Sequence, residues 1–241
     1  MIVISIAHLP IGIDNKFEYI TQLAADYITD EKPIFTVSVS PEDIQAEKTS
    51  SGTNHTDGYY ESIIAYRKIA EAIPEYDAFL FHGSVISYRG NAYVVTANSG
   101  VGKTTHTRLW LSEFPEARVL NGDKPIIRII DGVAYACGTP WQGKENYGCN
   151  EISELSGIAF IERAEKNQAS DISASEAVTR FMTQIYLPKK KVSMLAQTMR
   201  LADKVIRGVR LVKLGCNMDP EAAHVSFGAM SVVAKETFCD K

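Results

Sequence analysis

The spacing of hydrophobic and polar residues changes near residue 75, and we interpret this change as a division of the chain into two parts. In residues 1–75, the segments "MIVISIAHLPIGI" and "PIFTVSV" have the composition of strands, while "KFEYITQLAADYI" spaces its apolar residues at helical intervals. The polar run "AEKTSSGTNHTDG" predicts a loop, and "YYESIIAYRKIAEAI" predicts an amphipathic helix that ends before Pro74. These residues therefore predict a small N-terminal α/β extension.

Residues 76–241 follow a different order, in which strands and turns come first and helices return later. "AFLFHGSVISY" and "AYVVTA" flank an "RGN" turn and predict a hairpin, and "PIIRII" and "VAYACG" flank a "DG" turn in the same way. Further strands are predicted in "ARVLNGD", "LSGIAFIER" and "VRLVKLG". Helices are predicted in "TTHTRLWLSEF", "SASEAVTRFMTQIY", "VSMLAQTMRLADKVI" and near "DPEAAHVSFGAM". This order predicts a single α/β domain with a mixed sheet over residues 76–241.

Composition and charge narrow the class of protein. The 241 residues include 25 basic and 29 acidic side chains, for a net charge of −4, so we expect neither a nucleic acid nor a membrane as partner. No run of about 18 apolar residues occurs, and the first residues lack the basic start of a signal peptide. The cysteines have no Cys-x-x-Cys spacing, which predicts reduced thiols in the cytoplasm; they are Cys137, Cys149, Cys216 and Cys239.

The segment "TANSGVGKTTH" nearly matches the phosphate-binding pattern G-x-x-x-x-G-K-[ST], with Ala97 at the first glycine position. We call residues 97–104 the glycine-rich loop. A predicted strand precedes it and a predicted helix follows it, which is the context that the pattern requires. Lys103 would then contact the β- and γ-phosphates, and the Thr104 hydroxyl would bind Mg²⁺. The alternative is an ordinary turn and helix start. The predicted nucleotide-binding residues are Ser99, Gly100, Val101, Gly102, Lys103, Thr104 and Thr105.

Two residues outside the loop are candidates for the chemistry. Asp123 follows a predicted strand in "LNGDKPIIR", where a carboxylate could bind a metal ion or accept a proton. The alternative is an aspartate that only stabilises a hairpin turn. His82, in "FHGS" on the strand before the loop hairpin, is a second candidate, and a structural histidine is the alternative.

The segment "GTPWQGKE", residues 138–145, combines glycines with one large aromatic and one cationic side chain. We interpret it as a lid in which Lys144 neutralises charge on a transferring phosphoryl group and Glu145 adds a metal-binding carboxylate. In this lid, Trp141 either excludes water or packs against the acceptor. The alternative is that Trp141 belongs to the core and Lys144 is a solvated surface charge.

Taken in order, "HGS", "SGVGKTT" and "NGDKP" resemble the catalytic domain of bacterial HPr kinase/phosphorylase, whose fold is shared with ATP-type phosphoenolpyruvate carboxykinases. The resemblance covers roughly residues 76–230 and is greatest to small HPr kinase-like proteins of bacteria. It implies a glycine-rich loop set in a mixed sheet, with ATP and Mg²⁺ as cofactors. It also implies phosphate and metal roles for Lys103 and Thr104, a general-base or metal role for Asp123, and an active-site role for His82.

One departure from that family affects the site. HPr kinases carry adjacent acidic residues where this chain has Asp123 followed by Lys124. Fewer carboxylates are therefore available to act as general base and to bind the metal ion, unless Glu145 contributes.

Three functions remain open at this point. The first is a Mg-ATP-dependent kinase that transfers the γ-phosphoryl group to a hydroxyl of an unidentified protein, peptide or small molecule. The second is a nucleotide-binding regulator without phosphotransfer, and the third is a carboxykinase or phosphorylase. The base beside the phosphates favours catalysis. The sequence leaves the oligomeric state open, a homo-oligomer included.

Overall fold

The computed structural model describes residues 1–231, and in these residues strands and helices alternate irregularly along the chain. This arrangement confirms the predicted mixed α/β class. The strands are β1 (Ile2–Ile6), β2 (Leu9–Asp14), β3 (Phe35–Ser38), β4 (Ala78–Leu80), β5 (Ser84–Tyr88), β6 (Asn91–Thr96), β7 (Arg118–Asn121), β8 (Ile126–Ile130), β9 (Val133–Cys137), β10 (Ile152–Arg163), β11 (Gln168–Asp171) and β12 (Arg210–Cys216). The helices are α1 (Glu18–Leu23), α2 (Pro41–Ser51), α3 (Asp57–Ala72), α4 (Lys103–Glu113), α5 (Ala174–Met182), α6 (Val192–Gly208) and α7 (Glu221–Met230).

The strands form two sheets. The small sheet has the order β1-β2-β3, and the large sheet has the order β4-β8-β9-β10-β6-β5-β7, with β12 paired to β10 and β11 to β12. Strand β10 organises the large sheet because its 12 residues pair with β9 at one end, with β12 at the other, and with β6 along the opposite edge. Strand β6 lies inside this sheet, between β5 and the parallel strand β10, and the glycine-rich loop follows β6 directly.

Both predicted hairpin turns are confirmed. Arg89 and Gly90, between β5 and β6, have φ values of 52° and 80°. Asp131 and Gly132, between β8 and β9, have φ values of 50° and 85°. Two successive residues with positive φ give the turn whose twist matches that of paired strands, which is why glycine stands at the second position.

The segment "MIVISIAHLPIGI", which has strand composition, forms two strands and not a single one, because β1 and β2 pair as an antiparallel hairpin. The turn between them places Ala7 and His8 at φ values of 55° and 57°. Alanine disfavours positive φ, and no glycine, asparagine or aspartate marks the turn, so the sequence carries only a weak turn signal there.

The loop predicted over "AEKTSSGTNHTDG" is also partly wrong, because α2 extends to Ser51. The Ser40 hydroxyl accepts a hydrogen bond from Asp43 N, the Asp43 carboxylate accepts one from Ser40 N, and Pro41 occupies the first turn. These start signals stabilise a helix in which Ile44 is the only fully buried side chain. A helix with one buried position has no hydrophobic period to detect.

Residues 1–75 pack directly against the large sheet. Their buried side chains, among them Ile69 and Ile73 from the end of α3 and the chain after it, form one hydrophobic cluster with Ile126, Cys137 and Trp141 of the later chain. The division into two parts at residue 75 stays a prediction, but the shared cluster fixes the N-terminal helices beside the site described below. Among the helices of residues 1–231, none combines the length and apolar character needed to cross a bilayer.

Helix α7 packs so closely on β10 that only glycine fits at residue 157. A Cβ on Gly157 would lie 2.5 Å from Met230 Cβ and 2.9 Å from Met230 O. We expect Gly157→Ala to lower the free energy of unfolding by about 1–3 kcal/mol, through overpacking. Gly208→Ala is the matched control, since a Cβ there meets no atom within 4 Å; its helical position should make the change neutral or stabilising. Urea denaturation of both variants checks this, and equal effects would contradict it.

Candidate functional site

The glycine-rich loop joins β6 to α4 and has the backbone that its glycines permit. Gly100 and Gly102 have φ values of 80° and 138°, which disfavour other residues. Ala97 is not among the residues with positive φ, and it is buried in the cluster beneath α4. Alanine at the first position of the pattern is therefore compatible with this loop, and its methyl group contributes to the core.

Lys103, the first residue of α4, folds back over the loop. Its Nζ donates a hydrogen bond to Ala97 O at 2.9 Å. Burial lowers the pKa of this ammonium group, and the nearby Asp123 carboxylate opposes the shift. A half-buried cation bonded only to a neutral carbonyl would gain from an anionic ligand in the loop.

Arg163, at the end of β10, supports the loop from outside. Its guanidinium donates to Gly100 O at 2.6 Å and to Val101 O at 3.2 Å. These two hydrogen bonds hold the backbone of residues 100 and 101 in place through their carbonyl oxygens. No sequence pattern indicates this contact, because Arg163 and Gly100 lie 63 positions apart.

Asp123 is positioned by a buried asparagine, Asn121, at the end of β7. The Asn121 Oδ1 accepts hydrogen bonds from Asp123 N at 2.9 Å and Lys124 N at 2.6 Å. Its amide nitrogen donates to Thr139 Oγ1 at 2.9 Å and to Trp141 O at 3.2 Å. One side chain therefore joins the "NGDKP" turn to the segment 138–145.

The Asp123 carboxylate lies between two groups that carry or can carry positive charge. Its Oδ1 is 3.3 Å from His82 Nε2, and its Oδ2 accepts a hydrogen bond from Lys124 Nζ at 2.6 Å. The hydrogen bond from His82 and then that from Lys124 hold the pKa of Asp123 well below its usual range, against the effect of burial. Asp123 is thus ionised throughout the physiological pH range.

His82 lies between β4 and β5, and not within a strand as predicted. Its backbone N donates to Gln184 O at 2.7 Å, and its Nδ1 lies 3.2 Å from Gln184 Oε1. The Thr96 hydroxyl donates to His82 O at 2.7 Å. Gln184 was missed at the sequence level, since it falls near the end of a predicted helix with nothing to mark it.

Lys103, Asp123 and His82 line one cavity of about 800 Å³. All predicted site residues except Val101 line it, and Val101 packs instead against the cluster beneath α4. Helices α1 and α3 form its other wall, through Tyr19, Leu23, Tyr59, Ser62 and Ile63. The cavity therefore brings together residues that are far apart in the sequence, and their roles remain predictions.

The segment 138–145 differs from the predicted lid at Trp141. The Trp141 side chain is buried and stacks on Tyr66, with ring centroids 4.3 Å apart. This is the core position that the alternative interpretation gave to Trp141. Lys144 is exposed at the cavity, and Glu145 pairs with Arg108 at 2.5 Å.

Within residues 1–231, no three or more histidine, cysteine, aspartate or glutamate side chains converge as a metal cluster. Mg²⁺ does not need such a cluster, because it commonly binds one or two protein oxygens together with phosphates and water. The Thr104 hydroxyl and the Asp123 carboxylate line the same cavity and are oxygen donors of this kind. The donor set fits Mg²⁺ bound with a nucleotide.

Helix α4 is held in place by a buried histidine. His106 Nε2 lies 2.9 Å from Ser226 Oγ of α7, and Trp110 Nε1 donates to the same hydroxyl at 2.8 Å. Burial lowers the pKa of His106 to about 4. The folded protein therefore stabilises the neutral imidazole.

This burial predicts a loss of stability in mild acid. Below pH 6.5 the unfolded chain protonates His106, whereas the folded chain does so only near pH 4. The free energy of unfolding should fall across this window, with a slope of up to about 1.4 kcal/mol per pH unit from this residue. His106→Gln should show a shallower decline in denaturation curves recorded between pH 7 and 4. Parallel curves for the two proteins would contradict a buried neutral histidine.

The support from Arg163 predicts a change in anion binding. Arg163→Met should weaken the binding of inorganic triphosphate roughly tenfold, because the loop loses its fixed conformation. Arg118→Met is the matched control, since Arg118 pairs with Glu151 and does not line the cavity. Calorimetric titration gives both affinities. An unchanged affinity in Arg163→Met would show that the loop needs no support from this residue.

Comparisons with known proteins identify no family. No protein-family model matches the chain, and no curated protein sequence matches it. Among solved structures, the chain is similar to the Hpr(Ser) kinase/phosphatase from Coxiella burnetii, with 8% sequence identity and a TM-score of 0.35, covering 61% of this chain and 91% of that one. A similarity of this size carries no conclusion about activity or site residues, so those rest on the geometry of the cavity.

Proposed function

We propose that the protein is a Mg-ATP-dependent kinase that transfers the γ-phosphoryl group to a hydroxyl of a protein, peptide or small molecule. The observation that carries the proposal is the shared cavity of Lys103, at the start of α4, and the ionised Asp123. A phosphate-binding loop alone would serve binding. A carboxylate placed beside it serves transfer.

The glycine-rich loop binds the triphosphate. Its backbone N–H groups and the N-terminal end of the 11-residue helix α4 attract phosphate oxygens. Lys103 exchanges Ala97 O for the β- and γ-phosphate oxygens, which is a stronger hydrogen bond because both partners are charged. Mg²⁺ held by Thr104 and Asp123 would neutralise charge on the phosphates.

Asp123 acts on the acceptor. The acceptor oxygen forms a bond to the γ-phosphorus as the bond to the β-phosphate oxygen breaks, and ADP leaves. The hydroxyl proton passes to the Asp123 carboxylate, which His82 holds in place. The low pKa of Asp123 makes it a weak base while Lys124 is bonded to it. When Lys124 turns to the phosphates, that pKa rises and the carboxylate becomes a better base.

Lys144 lies exposed at the cavity and is, after Lys103 and Lys124, the third lysine available to a transferring phosphoryl group. We propose that it neutralises charge there, while Trp141 supports the segment from the core. Glu145 is engaged by Arg108, so this proposal gives the metal site to Asp123 and Thr104.

A second function is favoured by one observation, the Asp123–Lys124 ion pair. If that pair persists when nucleotide binds, Asp123 is neutralised and the protein is a nucleotide-binding regulator without transfer. Under that function, ATP binds but is not consumed.

The two functions differ in the behaviour of Asp123→Asn. Asparagine keeps the size of the side chain but cannot accept the proton. We therefore expect the rate of phosphoryl transfer to fall by about 10²- to 10⁴-fold. The rate is measured with labelled ATP, and the acceptors are water and the proteins of a matching lysate. ATP affinity should change little. Lys103→Ala should weaken ATP binding itself.

Asp131→Asn is the matched control, because Asp131 lies in the β8–β9 turn at positive φ, which asparagine tolerates. Its activity should equal that of the unmodified protein. Normal transfer by Asp123→Asn would remove Asp123 from the chemistry, and partial recovery at high Mg²⁺ would assign it to the metal alone and exclude the base role. Binding without turnover in the unmodified protein would support the regulator.

A further inference from the structure

One face of α3 leads away from the Asp123–Lys124 turn along the cavity. The Tyr66 hydroxyl donates to Lys124 O at 2.9 Å, which fixes the start of this face. Ser62, Ile63 and Tyr59 follow at helical spacing and line the cavity. From residue 66 to residue 59 a helix rises about 10 Å. We call Tyr59, Ser62 and Ile63, with Tyr19 and Leu23 of α1, the α3 wall.

The α3 wall is held firmly. The buried Glu61 carboxylate accepts hydrogen bonds from Lys16 N at 2.7 Å and Phe17 N at 3.2 Å, just before α1. A Cβ on Gly58 would lie 2.7 Å from Tyr19 Cβ, so glycine allows α1 to approach α3 closely. The Tyr19 and Tyr59 rings meet edge to face, with centroids 6.0 Å apart. These contacts fix an aromatic surface at the far end of the wall.

Charge divides the cavity into two ends. The lysines that line it, Lys103, Lys124 and Lys144, belong to the glycine-rich loop and the segments beside it. The α3 wall has no charged side chain among its five residues. A triphosphate is therefore favoured at the first end, and an uncharged group at the second.

The position of Asp123 decides which uncharged group this is. With Lys103 on the β- and γ-phosphates, the nucleotide base lies at the opposite end of the triphosphate from the γ-phosphate. The α3 wall starts near the Asp123–Lys124 turn, and the proposed function places the γ-phosphate and the attacking hydroxyl at this turn. The wall is therefore placed for the acceptor and not for the base.

We propose that the α3 wall binds a peptide acceptor in extended conformation, with an apolar or aromatic side chain against Tyr59 and Tyr19. This proposal rests on the proposed kinase function. An extended chain covers about 10 Å in three residues. The anchoring side chain therefore lies two or three residues from the serine or threonine that receives the phosphoryl group. Beyond it, a hollow lined by Asn54, His55 and Thr56 offers polar partners to the peptide backbone.

A positional peptide library tests this proposal. Serine peptides with one randomised position each are incubated with labelled ATP. The unmodified protein should favour aromatic or aliphatic residues two or three positions from the serine. In Tyr59→Ala and Ile63→Ala this preference should fall roughly tenfold, which corresponds to a loss of about 1.4 kcal/mol in binding free energy. Their affinities for ATP and inorganic triphosphate should not change.

Ile34→Ala is the matched control for Ile63→Ala, because Ile34 is 41% exposed and does not line the cavity. It should keep the preference. Should Tyr59→Ala fold poorly, Tyr59→Leu keeps an apolar surface and should retain the preference for aliphatic residues. Thermal unfolding of each variant separates folding defects from loss of contact.

Other results overturn the proposal in separable ways. Weaker ATP binding by Tyr59→Ala with unchanged triphosphate binding would assign the wall to the nucleotide base. Labelled peptides without positional preference, or no labelled peptide while ATP is bound and hydrolysed, would exclude a peptide on the wall and leave a kinase function standing. Absence of ATP binding in the unmodified protein would refute the kinase function, and with it this proposal.

Discussion

The candidate site depends on the buried amide of Asn121. This side chain satisfies two backbone N–H groups of the turn that carries Asp123 and, from its other end, donates to three oxygen atoms of residues 139–141. A buried amide with both ends bonded specifies one arrangement, because any shift leaves a polar group unpaired. Gly143 completes this arrangement, since a Cβ there would lie 2.9 Å from Asp123 Cβ. The turn and the later segment therefore form one rigid wall of the cavity.

Charge in the cavity is arranged for exchange of partners. Asp123 is bonded to His82 and Lys124, while Lys103 rests on the carbonyl of Ala97. A triphosphate in the glycine-rich loop would offer both lysines a stronger partner, and Asp123 would then be released from Lys124 while it stays bonded to His82. Binding and activation of the base would thus be linked by the same two cations. The kinase proposal depends on this link between nucleotide binding and the basicity of Asp123.

The sequence predicted the features that depend on local chemistry. The glycine-rich loop between a strand and a helix and the "RGN" and "DG" turns each need particular backbone angles, which a short segment reveals. Contacts between residues that are distant in the sequence produce no pattern in a short segment. Arg163 reaches the loop across 62 residues, and Gln184 lies 102 residues from His82. The turn at Ala7 and His8 was missed because its first residue is an alanine, which disfavours positive φ, and no glycine, asparagine or aspartate marks it.

The central claim is that one cavity holds the triphosphate on Lys103 with its γ-phosphate beside Asp123. A crystal structure of the protein with Mg²⁺ and a non-hydrolysable ATP analogue tests it most directly. We expect Lys103 Nζ to leave Ala97 O and lie about 2.8 Å from a β- or γ-phosphate oxygen, with the γ-phosphate next to Asp123. An analogue bound elsewhere, with Lys103 still on Ala97 O, would contradict the account.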